Sequence, residues 1–479
     1  MLSRRAFLRL SALAAPAIAR PALVDAVEQR GSAPAGTIVV IGAGLAGLHA
    51  ADLLRSAGRQ VVVLEASARA GGRAFTYRSP LDAGLYGEAG PIRIAAGHQR
   101  TLQLAQRFGL TLVPFGRSSG GAISVLGRKI LRSSEPGDRN AAGLALEPGE
   151  RALDDRALLE RYVGELPAGL GDPAAPLASY AAWDAYDRVT WPEWLRSRGA
   201  SADAVRLMTI GGDSSELSAL YVLRQFALLR RMSAFFKIRG GMDRLPAAMA
   251  ASLRTVIHYN APVVRVDRRG ARIRIDYLQG GRIRSVAASR VLCAIPFTTL
   301  RQVEMQPALS SRKARAIDDL SYMPSTRFLL QTRTRFWNRS GLSGYARTDR
   351  PAEIWDCGYD LPGTRGILGA TVAGATSGSV AGASVDRAVA FGQAVVADAF
   401  PAIGEELERG IAHRWALEPW SRGAFAMFRP RQMSTLMPDI SGPEDRLHFA
   451  GEHTSSWTGW MEGALESGER AAREILASY

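Results

Sequence analysis

Cysteine is almost missing from this chain, with two residues, Cys293 and Cys357, in 479. A disulfide framework is therefore excluded as a source of stability, and one bridge is the most that could form. Cys293 lies in "RVLCAIP", an apolar stretch that reads as a buried strand, where a thiol acts as a small hydrophobe. The six histidines are dispersed without any Cys/His spacing, so no metal site is expected. Lysine occurs only at Lys129, Lys237 and Lys313, and arginine carries the net charge of +15. Those arginines are scattered among acids rather than gathered into a stripe, which argues against nucleic-acid binding. Beyond the N-terminal segment nothing approaches the roughly 20 apolar residues that span a bilayer, so no membrane span is expected in the mature form. No internal repeat is present, which excludes solenoids and propellers.

What is present describes a globular protein, 47% hydrophobic and 22% charged. The length is too great for one simple core and predicts two or three structural units. The first residues, "SRRAFLRL" (Ser3–Leu10) and a mild apolar run ending in "AIA" (Ala17–Ala19), describe a twin-arginine export signal over 1–19. That reading makes the twin-arginine translocase a partner during export and places the mature protein in the periplasm or outside the cell. The route usually carries proteins already folded around a cofactor.

A cofactor is indeed indicated. "TIVVIGAGLAGLHAADLL" runs from a β-branched strand through Gly42, Gly44 and Gly47 into a helical apolar pattern. "QVVVLEA" follows and leaves Glu65 at the end of a second strand, about 20 residues on. This is a βαβ dinucleotide fingerprint in its required context. The glycines permit a tight turn and close approach of a pyrophosphate to a helix N-terminus, and Glu65 can accept from a ribose 2′-hydroxyl. An acid there disfavours a 2′-phosphate. "ASARAGGRAFTYR" then brackets Gly71 and Gly72 between Arg69 and Arg73, apt for a second pyrophosphate contact.

Together with "FAGEHTSSWTGWMEGALESGERAA" (Phe449–Ala472), "KIRGGMDRLPAAMA", "ASRVLCAIP" and "EPWSRGAF", the chain resembles the flavin-containing amine oxidase family, closest to the L-amino acid oxidases. The resemblance implies FAD. It gives Glu452 a place beside the ribityl–phosphate part, with further cofactor contacts at Gly90, Arg93, Val264 and Met461. It also aims the N-terminus of the last helix, near Trp460 and Met461, at the flavin pyrimidine ring, where a positive dipole end would stabilise reduced flavin. Ala424 stands where some members carry a flavin-linked cysteine, so the FAD is expected to be non-covalent.

The resemblance also assigns substrate residues. In "LDAGLYGEAGPIRIAAGHQR" Arg93 takes the place of the arginine that clamps a substrate carboxylate, a task suited to a planar, bidentate guanidinium. Phe425 and Trp460 match the aromatic cage that confines the amine. Arg327, in "YMPSTRFLLQTRTRFW", replaces the family lysine that holds a water near flavin N5; it could position water or substrate, or act as a second carboxylate ligand. In "EIWDCGYD", strand alternation turns either Trp355 or Asp356 toward the pocket, and Trp355 is preferred.

The expected fold is α/β: a Rossmann-type FAD-binding domain assembled from 34–90, 237–304 and 439–479, and an α+β substrate-binding domain from 91–119 and 305–438. A helical insertion, 120–236, shapes the access channel. Within the first domain, Gly280–Gly281 reads as a hairpin turn. The expected activity is oxidation of an L-amino acid to keto acid and ammonia by hydride transfer from Cα to flavin N5, with O2 as acceptor giving H2O2. Alternatives are an amine oxidase or dehydrogenase acting on a substrate without a carboxylate, using O2 or a periplasmic electron acceptor, an amino acid 2-monooxygenase, and an electron-transfer subunit without a substrate site. The expected partners are a small-molecule amino acid or amine and the acceptor, with a homodimer as one admissible assembly.

Overall fold

A computed structural model describes residues 36–479 apart from 117–119, 128, 133–135, 231, 233 and 351. The twin-arginine motif and its cleavage site lie outside the described residues.

The β-branched runs of the fingerprint form the centre of a five-stranded sheet, ordered Ile257–His258, Val61–Leu64, Ile38–Ile41, Arg290–Cys293, Leu447–Phe449. Every pairing in it is parallel. Parallel strands are covered on both faces, so they read as continuous apolar runs. Ile38 and Val40 pack against the helices Leu45–Ser56 and Met461–Ala477, while Val39 and Ile41 join the core on the opposite face. The last helix sits very close to the first: a Cβ on Gly468 would lie 2.4 Å from the Ala46 carbonyl oxygen.

Strands Val263–Asp267, Ile273–Gln279 and Arg282–Ala288 form the antiparallel meander, extended by Glu304–Gln306. Gly280 and Gly281 turn the hairpin with φ of 58° and 75°, as a primed two-residue turn requires. Cys293 is buried in its strand, and both cysteines are free thiols.

A seven-stranded sheet dominates the second half of the structure, in the order Leu407–Arg414, Ser325–Thr332, Gly366–Ala373, Ala352–Asp356, Leu342–Thr348, Gly121–Leu126, Lys129–Arg132. Alternation gives it two different faces. Phe328, Leu330, Ile354, Leu368, Ala370 and Val372 bury one face, together with Val395 and Val396 of the helix Val385–Ala397. The other face carries Arg327, Thr371 and Glu353, which stand in register on three neighbouring strands. The region 120–236, read as helical from sequence, opens with the two edge strands of this sheet. "GAISVLGRKILR" alternates and turns at Gly127, φ 61°, and its helices follow only from Pro136 onward.

Candidate active site

The parallel sheet and the polar face of the seven-stranded sheet enclose one long cavity of about 790 Å³. At one end lies the fingerprint loop, whose three glycines meet three different demands. Gly42 has φ 101°, and a Cβ there would sit 2.8 Å from Ile295 Cγ2. A Cβ on Gly47 would lie 1.9 Å from the Gly42 carbonyl oxygen, so this glycine serves the turn and does not line the cavity. Gly44 lines the cavity, and a Cβ there would meet nothing within 4 Å. Its missing side chain leaves room for a ligand.

Glu65 is buried at the end of the second strand. Its Oε2 accepts from Ala43 N at 2.7 Å and its Oε1 from Ser67 N and Oγ at 2.8 Å, which fixes the carboxylate at the cavity wall. Arg69, Gly71, Gly72 and Arg73 follow along the same wall. Arg73 Nη1 donates to Glu452 Oε1 at 2.7 Å and to the Ala424 carbonyl at 3.2 Å. Glu452 also accepts from Ala426 N at 3.2 Å and, through Oε2, from Gly459 N at 2.7 Å. Both oxygens of Glu452 thus hold protein donors, and the residue ties the double-glycine loop, the 426–427 strand and the Trp460 loop to one another. Gly90 is pressed against this loop, since a Cβ there would lie 2.0 Å from the Arg73 carbonyl oxygen.

The helix Met461–Ala477 starts with Trp460 as its N-cap residue and has no side-chain cap. Helix Leu45–Ser56 likewise begins at Gly44 without one. Two sets of free N–H groups therefore open on the same cavity, where Trp460, Met461 and Ala464 form part of the wall. The uncapped helix ends, the vacant space at Gly44 and the fixed carboxylate of Glu65 fit a bound dinucleotide such as FAD.

Val264 is not part of this wall; Val263 is. The register slips between Val263 and Arg265, where Val263 faces Tyr277 and Arg265 faces Asp276, so Val264 is the extra residue of a bulge.

The same cavity holds the residues that the resemblance assigns to the substrate. Phe425, Trp460, Arg93, Arg327 and Glu353 all line it. The Phe425 ring lies 3.6 Å from the place a Cβ would take on Gly459, which brings it next to Trp460. Arg93 Nη1 donates to Glu353 Oε1 at 3.0 Å, and Tyr345 Oη donates to the same oxygen at 3.1 Å. The guanidinium and the Tyr345 hydroxyl hold the Glu353 carboxyl below its ordinary pKa despite burial, and Glu353 in turn raises that of Arg93. Arg327 donates through Nη2 to the Gly90 carbonyl at 3.1 Å and lies over the Trp355 ring, 4.6 Å from its centroid. Its Nε and Nη1 have no hydrogen-bond partner among the described residues, and burial pushes its pKa down to about 10.

Trp355 does not form the pocket wall. It is 5% exposed and lies beneath Arg327, against a separate small void shared with Tyr86 and Lys237. Asp356 points to the other face, where its Cβ would stand 3.0 Å from one on Gly344, and its Oδ1 accepts from Gly358 N at 2.8 Å. The strand presents Glu353 instead, two residues before Trp355 on the same face. Sequence reasoning missed this acid; its position on the Trp355 side of a buried strand was the available signal. Residues Met208–Ser214 and the helix Ala219–Leu229 close the remaining side through Tyr221, Val222, Gln225 and Phe226.

Comparison with known proteins agrees with this geometry. The family model of flavin containing amine oxidoreductases matches residues 45–476. The Bacillus subtilis (strain 168) protein YobN, provisionally named an L-amino-acid oxidase, is 31% identical over 91% of this chain and 94% of its own length. An L-amino-acid oxidase of Gloydius blomhoffii is 29% identical over 91% of this chain and 88% of its own. Among solved structures, cyclohexylamine oxidase from Brevibacterium oxydans IH-35A superposes with a TM-score of 0.77 at 22% identity, covering 93% of this chain and 99% of that one. Putrescine oxidase bound to putrescine gives 0.78 at 24%, covering 92% and 99%. The fold is therefore the two-domain α/β arrangement of these FAD-dependent oxidases, FAD is the cofactor, and the reaction is oxidation at a CH–NH2 group. The chain belongs to the flavin-containing amine oxidoreductase family.

Proposed function

We propose that the protein oxidises an L-α-amino acid, giving the keto acid and ammonia. The observation that carries this reading is the charge on the substrate wall. Arg93 and Arg327 both line it, and Glu353 is the one acid bonded to either guanidinium among the described residues. One positive charge is left over, the complement of one carboxylate. FAD, when bound, supplies the hydride acceptor. The chain's own residues do the rest. The arginines orient the carboxylate so that Cα is presented in one pose, and the guanidinium fork can hold it bidentately. Phe425 and Trp460 exclude water around the amine and favour its neutral form, which can release hydride from Cα. The resulting iminium carboxylate takes up water and yields the keto acid and ammonium. No protein base is assigned. O2 is the proposed final acceptor, giving H2O2.

A second reading, oxidation of an amine that lacks a carboxylate, has one observation in its favour: Arg93 is paired with one of the protein's own carboxylates, Glu353. Product analysis separates the two. Incubation with L-phenylalanine is expected to yield phenylpyruvate and ammonia in equal amounts, with phenethylamine oxidised far more slowly. Phenylacetaldehyde from phenethylamine, with no phenylpyruvate from L-phenylalanine, establishes the second reading. Phenylacetamide instead of phenylpyruvate would mark a decarboxylating monooxygenase.

A further inference from the structure

The indole of Trp460 is held by two residues outside its own loop, and one of them comes from the helical region. Gln225 lies on the helix Ala219–Leu229 at the cavity wall. Its Oε1 accepts from Trp460 Nε1 at 3.0 Å, and its Nε2 donates to the Thr458 carbonyl at 3.1 Å. An indole N–H can only donate and a carbonyl can only accept, so the two partners independently fix the same orientation of the amide. A flipped amide would lose both bonds at once. The second holder is His98, whose ring meets Trp457 and Trp460 edge-on, with both centroid distances 4.9 Å.

The loop needs such a brace. Gly459, just before Trp460, is exposed and has φ 84°, a backbone region that few other residues adopt. Its N–H is anchored on Glu452, and the Trp460 backbone is bonded to Trp457 O and Ala464 N, but those bonds hold the main chain and leave the side-chain torsions of the indole to its own contacts. Among the described residues the indole N–H donates to Gln225 Oε1 alone, and a half-buried indole N–H that loses its acceptor is costly.

We propose that Gln225 is a positioning residue for the aromatic wall: through Trp460 it sets where the amine sits and how fast it turns over. The inference rests on Trp460 lining the site, and it is independent of whether the substrate carries a carboxylate. A wall displaced by a fraction of an ångström to an ångström costs rate, because hydride transfer requires a narrow range of approach. The helical region would then govern turnover through the aromatic wall as well as by lining the cavity.

The test is a double-mutant cycle on the FAD-loaded enzyme, with Gln225→Leu made in the native and in the Trp460→Phe background. L-Phenylalanine is the substrate, or phenethylamine if only the amine is oxidised. Phenylalanine in place of Trp460 keeps a ring but removes the N–H. The expected result is a fall in kcat of about tenfold in the native background, with KM changing much less. In the Trp460→Phe background the effect shrinks to less than about twofold, because the bond it removes is already gone. Near-ultraviolet circular dichroism should show the same pattern: Gln225→Leu alters the tryptophan bands of the native protein and leaves those of Trp460→Phe unchanged. Equal loss of kcat in both backgrounds would mean that Gln225 acts on the substrate or the fold directly, and no loss in the native background would mean that it positions nothing; either overturns the proposal. If Gln225→Leu fails to yield holoenzyme, Gln225→Met takes its place in the same cycle.

Discussion

Arg93 donates from Nη1 to Glu353 Oε1 at 3.0 Å, so the guanidinium placed for a substrate carboxylate already holds one of the protein's own. Arginine has five N–H donors, and one bond to Glu353 leaves others for a ligand. Glu353 therefore orients the fork and at the same time screens its charge. Two strands away on the same sheet face, Arg327 has no acid bonded to it among the described residues.

Glu353 should act as a filter against acidic side chains. A second carboxylate entering the site meets the Glu353 charge at close range, and like-charge juxtaposition is costly in a partly desolvated pocket. Glu353→Gln keeps the shape and a hydrogen-bond acceptor. It is expected to raise the ratio of kcat/KM for L-glutamate over L-leucine by about tenfold. An unchanged ratio would show that Glu353 is a counter-ion and nothing more.

Glycines of the fingerprint should fail in different ways. A Cβ at Gly47 would stand 1.9 Å from a carbonyl oxygen, whereas one at Gly44 would enter open cavity. Gly47→Ala is expected to lower the melting temperature of apoprotein and holoenzyme alike. Gly44→Val is expected to leave the apoprotein folded while weakening FAD binding, read from the flavin-to-protein absorbance ratio after gel filtration. Identical behaviour of the two variants would contradict the assignment of Gly44 to the cofactor.

With Ala424 at the position of a flavin-linked cysteine, and with both thiols of the chain buried at Cys293 and Cys357, the FAD should be held without a covalent bond. Acid precipitation is expected to leave the yellow chromophore in the supernatant. Flavin remaining in the pellet after washing would refute this.

Two buried histidines should each contribute a loss of stability in acid over a definite window. Burial lowers the His98 pKa from 6.5 to about 4, and burial with the charges of Arg69 and Arg327 lowers that of His413 to about 4. Both rings are neutral in the folded state at pH values where the unfolded chain binds protons, so stability rises with pH across this range. It is fully present above pH 6.5 and is lost as pH falls from about 6.5 to about 4. Glu353, with its pKa depressed in the folded state, adds a loss of the same sign at the acid end. Glu88 and Asp356, whose carboxyls burial raises to about 7 and about 6, act with the opposite sign over part of this interval, so the readout is a difference: the native melting temperature should lose more between pH 6.5 and 4 than that of His98→Phe. A His98→Phe curve as steep as the native one would remove His98 from the account.

Much of the cofactor half was legible because its signals are local. A glycine forced to positive φ, a β-branched run and an acid at a fixed distance leave their marks within one short stretch, and Gly42, Gly44 and Glu65 lie as that stretch implies. The substrate half depends on contacts between distant segments. Arg93 could be placed by resemblance, but its partner Glu353 lies 260 positions away in sequence and could not. Trp355, preferred over Asp356 for the pocket, shares the face of Glu353, yet Arg327 lies across its ring. Gln225 had a faint mark, a lone amide on the apolar face of "ALYVLRQFALL", whose partner only the fold supplies. Val264, assigned by resemblance, is the extra residue of a bulge, and Val263 lines the cavity in its place.

The most direct test of the central claim is anaerobic mixing of the FAD-loaded enzyme with L-phenylalanine and, separately, phenethylamine, following flavin absorbance in the native protein and in Arg93→Ala. The native enzyme is expected to bleach with the amino acid far faster than with the amine, and Arg93→Ala to slow the amino acid by about a hundredfold or more while changing the amine less than about threefold. Faster bleaching by phenethylamine, or an Arg93→Ala effect below tenfold on the amino acid, would contradict the carboxylate clamp.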